Sequence, residues 1–155
     1  MNKKFGGNGG LNWFVGVGTR EVLISIGIYD NINELTWWES IKFRNLTLVF
    51  TPAQHWSLRR LFDYNRCLWG SWVIIGEKKR IFFAGDTGYC SVFSQIGKIY
   101  GPFNLSFIPI GAYMPRRLLK EQHINPEEAI KVHLDVKSEK SIGIHWGTFI
   151  LGREV

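Results

Sequence analysis

The sequence predicts an α/β (α+β layered) fold, with helices packed on a sheet. Three observations predict it. The second half reads strand, helix, strand, helix, strand; a hairpin signal precedes that alternation; and one helix start carries a complete capping pattern.

Taken in order, Gly6-Gly7-Asn8-Gly9-Gly10 makes residues 1–11 a loop or frayed end, without the Gly-Lys-Ser/Thr of a phosphate-binding loop. Residues 12–155 are expected to form the domain. Val22 to Ile28 is a β-branched, Leu-rich apolar run, and Leu46 to Phe50 reads as a strand stopped by Thr51-Pro52. Ser71 to Ile75 and Arg80 to Ala84 flank the turn Gly76-Glu77-Lys78-Lys79 and read as a hairpin. Ser91 to Tyr100 places Val92, Phe93, Ile96, Ile99 and Tyr100 at helical spacing before Gly101-Pro102. Leu105 to Ile110 is a strand. Asn125-Pro126-Glu127-Glu128 then offers an N-cap, a proline at the first helical position and acids at the positive dipole end, for a helix to about Val136. A last strand covers Ser141 to His145.

Composition limits the function classes. The 155 residues are 45% hydrophobic, 21% charged and 15% aromatic, which is globular and suits one domain. No stretch approaches the roughly 18–20 apolar residues of a membrane span. The lysines at positions 3 and 4 have no apolar core behind them, so a signal peptide is not expected. Cys67 and Cys90 make no disulfide framework and read as buried reduced thiols, with one bridge as the alternative. The net charge of +6 is clustered at Arg59, Arg60, Arg66, at Lys78, Lys79, Arg80, and at Arg116, Arg117, Lys120. Each cluster suits a solvated surface; together they favour an anionic partner such as phospholipid, phosphate ester or nucleic acid.

Three segments share one design, a hydrophobic strand followed by a metal-capable side chain: His55 after Leu48 to Phe50, Asp86 after Ile81 to Ala84, and His145 after Ser141 to Ile144. Ligands collect outside strand ends, where loops are exposed on a rigid scaffold. Gly85 and Gly88 clear space on either side of Asp86. Two imidazoles and a carboxylate able to bridge suit a zinc-type pair, which can activate water and clamp both oxygens of an in-line displacement at phosphorus. Each residue alone also has an ordinary structural reading, as a carbonyl-bonded histidine or a turn aspartate. His133, inside the expected helix, reads as a packed or surface histidine. His123, in the loop before the capped helix, can meet a phosphate.

The runs Thr51-Pro52-Ala53-Gln54-His55-Trp56, Leu68-Trp69-Gly70-Ser71-Trp72, Ala84-Gly85-Asp86-Thr87-Gly88-Tyr89-Cys90, Ile108-Pro109-Ile110-Gly111-Ala112-Tyr113, Gln122-His123-Ile124-Asn125-Pro126-Glu127-Glu128 and Ile144-His145-Trp146-Gly147-Thr148 occur in this order. Together they closely resemble the N-acyl-phosphatidylethanolamine-hydrolysing phospholipase D family of the metallo-β-lactamase superfamily. Trp13-Phe14-Val15 and the stretch Glu34 to Glu39 extend the match over nearly the whole chain.

The resemblance implies a four-layer αββα sandwich, a two-zinc site at its sheet edges, and hydrolysis of the membrane lipid to an N-acylethanolamine and phosphatidic acid. It implies His55 as ligand of one metal, Asp86 as the bridge, His145 as ligand of the other, and Gln122 with His123 at the mouth of the active site, where His123 matters for activity. It also implies an intracellular enzyme, peripheral on internal membranes, that forms a homodimer.

The superfamily's H-x-H-x-D-H motif is absent from this sequence. The expectation is therefore the incomplete C-terminal part of the sandwich, with about two protein ligands per ion, weak zinc binding and an open apolar sheet face. Two further readings stand beside the lipase: a catalytically inactive fragment that binds a membrane or partner, and a nucleic-acid-processing relative. No RNA-binding motif supports the latter, and a nucleic acid partner is not expected.

Overall fold

Strand polarity sets the architecture of this protein, for which a computed structural model describes residues 10–149, 151 and 152. The larger sheet has six strands in chain order: β3 (Ser40–Phe43), β4 (Leu46–Thr51), β5 (Ser71–Ile75), β6 (Arg80–Phe83), β7 (Leu105–Pro109) and β8 (Ser141–Ile144). The first four pair antiparallel, while β6, β7 and β8 run parallel. Two reversals make β4 and β6 point the same way, so the C-terminal ends of β4, β6, β7 and β8 share one edge of the sheet. A smaller parallel pair, β1 (Trp13–Gly16) and β2 (Ile32–Leu35), is joined through α1 (Arg20–Ser25).

Parallel strands need crossovers, and these supply the helix layer. Helix α2 (Val92–Ile99) connects β6 to β7, and α3 (Arg116–Leu119) with α4 (Pro126–Asp135) connects β7 to β8. Phe93 and Ile96 of α2 and Ala129 and Val132 of α4 pack on Val49, Val73, Phe82 and Ile108 of the sheet. Each fully buried Phe or Ile side chain there contributes roughly 1.5–3 kcal/mol. The other face is apolar but poorly covered. Trp72, Phe83, Phe107 and Ile142 lie in one register across β5 to β8, with Phe83 40% and Ile142 47% exposed. The small β1–β2 unit reaches the β3 end, where the Phe14 and Phe43 rings meet at 5.1 Å.

Most expected elements are present at their expected places. The hairpin turns at 76–79, closed by the Gly76 N–H to the Lys79 carbonyl at 2.8 Å. The capping box of α4 is complete: Asn125 Oδ1 accepts the Glu128 N–H at 2.9 Å and Glu128 Oε2 accepts the Asn125 N–H at 3.2 Å.

The fold adds detail at three places. The apolar run from Val22 is helical to Ser25, because only Leu23 of its first turns is buried, against Ile28 and Ile32 in a small separate core. Short apolar runs do not distinguish strand from helix by themselves. Ile99 is 59% exposed, falling outside the buried stripe of Phe93, Ile96 and Gly97. Cys67 is buried and Cys90 half-buried, both free; burial pushes the Cys90 thiol up from its ordinary value. Residues 1–9 of the expected N-terminal loop lie outside the described residues, and 10–12 are irregular.

Candidate metal centre

The shared sheet edge brings the three predicted strand-end residues to one place. His55 follows β4, Asp86 follows β6 and His145 follows β8. His145 Nε2 lies 3.4 Å from Asp86 Oδ1. The His145 ring stacks on His123 at 5.5 Å between centroids, and His123 meets His55 edge-on at 5.3 Å. Asp86 and His55 line one cleft of about 320 Å³ with Trp56, Arg59, Trp69 and Trp72. The side-chain contacts run from Asp86 to His145, from His145 to His123 and from His123 to His55.

Hydrogen bonds hold the loops that carry these residues. The Gln54 N–H donates to Thr87 Oγ1 at 3.0 Å, the Gly88 N–H to the Gln54 carbonyl at 2.7 Å, and the Ile124 N–H to the Thr87 carbonyl at 2.9 Å. Gln54 Nε2 donates to the Glu121 carbonyl and to Glu121 Oε2, each at 3.0 Å. Gly88 is required by this knot: a Cβ there would stand 2.5 Å from the Glu121 carbonyl oxygen. Buried Thr87 thus joins the loops of His55, Asp86 and His123. Arg116 donates to the His123 carbonyl at 2.7 Å and pairs with Glu128 at 2.8 Å, tying that loop to the capped end of α4. Gln122 sits in the same turn, its N–H bonded to the Leu119 carbonyl at 2.9 Å. His145 has φ +60°, a left-handed conformation that is costly outside glycine and clusters at functional sites.

Sequence reasoning missed Gln54, Thr87, Glu121 and Arg116 as positioning residues. The Thr of Asp86-Thr87-Gly88 was the available signal, because a hydroxyl in a tight turn after a strand usually binds nearby backbone.

The histidines fit a cation. His55 Nδ1 lies 2.8 Å from the Trp56 carbonyl oxygen, which can only accept, so Nδ1 carries the proton. Its Nε2 lone pair is then directed elsewhere, and that atom is buried with no hydrogen-bond partner among the described residues, as is Nδ1 of His145. Fixing one ring nitrogen through a backbone carbonyl is how metal-ligating histidines are oriented. The 3.4 Å between His145 Nε2 and Asp86 Oδ1 is long for a charge-assisted hydrogen bond. It equals the separation of about 3.3–3.5 Å between two ligands held at about 2.0–2.1 Å from one tetrahedral cation. Among the described residues no three His, Cys, Asp or Glu side chains form a complete ligand group. His133, by contrast, bonds Ser141 Oγ at 2.8 Å from within α4 and takes no part.

A family model described as a beta-lactamase superfamily domain matches residues 11–146. The chain is 46% identical over 151 residues to N-acyl-phosphatidylethanolamine-hydrolyzing phospholipase D 1 of Caenorhabditis elegans, covering 92% of this chain and 42% of the relative. It is 38% identical over 149 residues to the mitochondrial N-acyl-phosphatidylethanolamine-hydrolyzing phospholipase D of Saccharomyces cerevisiae, covering 92% of this chain and 32% of the relative. The chain thus spans less than half the length of these relatives. Among solved structures, Igni18, a metallo hydrolase of the archaeon Ignicoccus hospitalis, superposes with TM-score 0.70 at 21% identity, over 89% of this chain and 54% of that one. This shared fold accounts for the mixed sheet and its helix layer.

Proposed function

This chain belongs to the beta-lactamase superfamily, and we propose that it carries one side of a two-cation centre hydrolysing N-acyl-phosphatidylethanolamine to an N-acylethanolamine and phosphatidic acid. The observation that carries the reading is the ligand-like spacing of Asp86 and His145 beside the buried, unpartnered Nε2 of His55. The names of the nematode and yeast relatives support the substrate. In this reading residues 12–155 act as one partial domain.

In this reading His55 and His145 would each help to hold a cation and Asp86 would be shared between them; the nitrogen and oxygen donors suit zinc. When bound, the cations supply Lewis acidity toward water and toward the phosphoryl oxygens.

The chain's own residues do the rest. The Asp86 carboxyl is half-exposed, so one oxygen can face His145 while the other faces the cleft. Arg59 lines the cleft and orients the phosphate by charge, and Trp56, Trp69 and Trp72 form a wall for the apolar part of the lipid. Trp69 is fixed by its Nε1–H to the Ala53 carbonyl at 3.0 Å. His123 lies in ring contact with both His55 and His145, and in this reading it binds the substrate at the mouth together with Gln122. No helix among the described residues is long and apolar enough to cross a membrane. In this reading the lipid is met at the surface of internal membranes.

A second reading, weighed because no three ligand side chains group among the described residues, is a catalytically inactive fragment that binds a membrane or partner, with weak cation binding and little lipid turnover.

The test replaces the matching segment of the nematode relative with this chain and measures N-acylethanolamine release from vesicles. Activity that Asp86→Asn abolishes supports the proposal. A folded, metal-loaded chimera that leaves the lipid intact, or one indifferent to Asp86→Asn, overturns it.

A further inference from the structure

Residues 57–67 form a closed loop beside the cleft. Ser57 Oγ donates to the Cys67 carbonyl and accepts the Cys67 N–H at 3.2 Å, while the Asn65 N–H donates to the Ser57 carbonyl at 2.7 Å. Asp63 Oδ1 accepts the Arg59 N–H at 2.8 Å, which closes a turn inside the loop. This framework holds two large apolar side chains at the tip, Leu61 82% and Phe62 90% exposed. Phe62 has φ +71°, a backbone conformation that bulky residues rarely adopt. Turn tips facing water usually carry Gly, Asn, Asp or Ser instead.

Charge and connection narrow the partner. Arg59, Arg60 and Arg66 flank the tip, and the loop's acid, Asp63, is engaged by backbone. Tyr64 stacks on Trp56 at 5.5 Å, and the Trp56 ring lies parallel to His55 at 6.1 Å, so the loop joins the site directly. The open sheet face differs. Its outward register of Phe83, Phe107 and Ile142, beyond the cleft, is uncharged, which suits another protein layer.

We propose that the 57–67 loop docks the protein on an anionic phospholipid bilayer. Leu61 and Phe62 enter the acyl region, and the three arginines bind headgroups, which sets the His55 side of the cleft against the lipid. The inference rests on the reading that the substrate is a bilayer lipid, and it names how that surface is engaged.

The test is co-sedimentation of the chain with vesicles of phosphatidylcholine mixed with phosphatidylserine, containing no N-acyl-phosphatidylethanolamine, against phosphatidylcholine alone. The Leu61→Ser/Phe62→Gly double variant, whose glycine relieves the positive φ, and Arg60→Glu are each expected to lower binding to the mixed vesicles about tenfold or more. Ile142→Ser on the open sheet face is expected to leave binding unchanged. Equal binding by wild type and the loop variants, a loss carried by Ile142→Ser, equal affinity for both vesicles, or no binding by wild type overturns the proposal. Because the readout is binding without substrate, failure of the hydrolase reading shows separately, as absent lipid cleavage by the chimera.

Discussion

His145 Nε2 stands 3.4 Å from Asp86 Oδ1, although the two side chains arrive from strands β8 and β6 with β7 between them. Parallel pairing through β7 puts both strand ends at one edge, and β4 delivers His55 to the same edge. Topology thus brings these loops to one edge, and the hydrogen bonds around Thr87 hold them there.

Thr87 is the residue on which the three loops depend. Thr87→Val keeps the volume but removes the acceptor for the Gln54 N–H and the donor to the Gly88 carbonyl. The expected loss is about 1–3 kcal/mol of stability in denaturant unfolding. Because His55 and Asp86 lose their common tie, cation affinity is expected to fall as well.

Asn125→Ala separates helix stability from site chemistry. The cap bond to Glu128 N–H is lost, at about 1 kcal/mol in thermal or urea unfolding. The Arg116–Glu128 pair remains to hold the His123 loop, so cation affinity is expected to stay unchanged. A large drop in affinity would place the cap in the machinery of the site.

Tyr89 links the Asp86 loop region to α4. Its hydroxyl donates to Asp135 Oδ2 at 2.7 Å, and that hydrogen bond, with burial and the carboxylate charge, pushes the phenol above its ordinary value. The folded state thus favours the protonated phenol. Its contribution to stability is whole below the ordinary phenol range, about pH 10, and is lost as pH climbs from there through the folded value. Ultraviolet titration is expected to show one late tyrosine that disappears in Tyr89→Phe, with a correspondingly shallower alkaline fall in stability.

The residues legible in the sequence were those whose signals are local. The Gly76–Lys79 turn, the Asn125–Glu128 cap and each strand followed by a metal-capable side chain, at 55, 86 and 145, are signalled within a few positions of the chain. The β-branched, Leu-rich composition of Val22 to Ile28 assigns no element by itself, and the burial of Leu23 in a small local core decides for helix to Ser25. The Gln54–Thr87–Glu121 knot was out of reach because its bonds join residues 33 and 67 positions apart. Arg116 was read as surface charge, and only the folded α3–α4 turn gives it His123 and Glu128 as partners.

The most direct test of the account is a zinc titration of the 155-residue chain followed by nitrogen-15 NMR of the histidine rings. Weak binding is predicted, shifting Nε2 of His55 and the ring of His145 while His133 stays still, with the His145 response abolished by Asp86→Ala. Zinc that shifts His133 first, or a His145 response indifferent to Asp86→Ala, would contradict it.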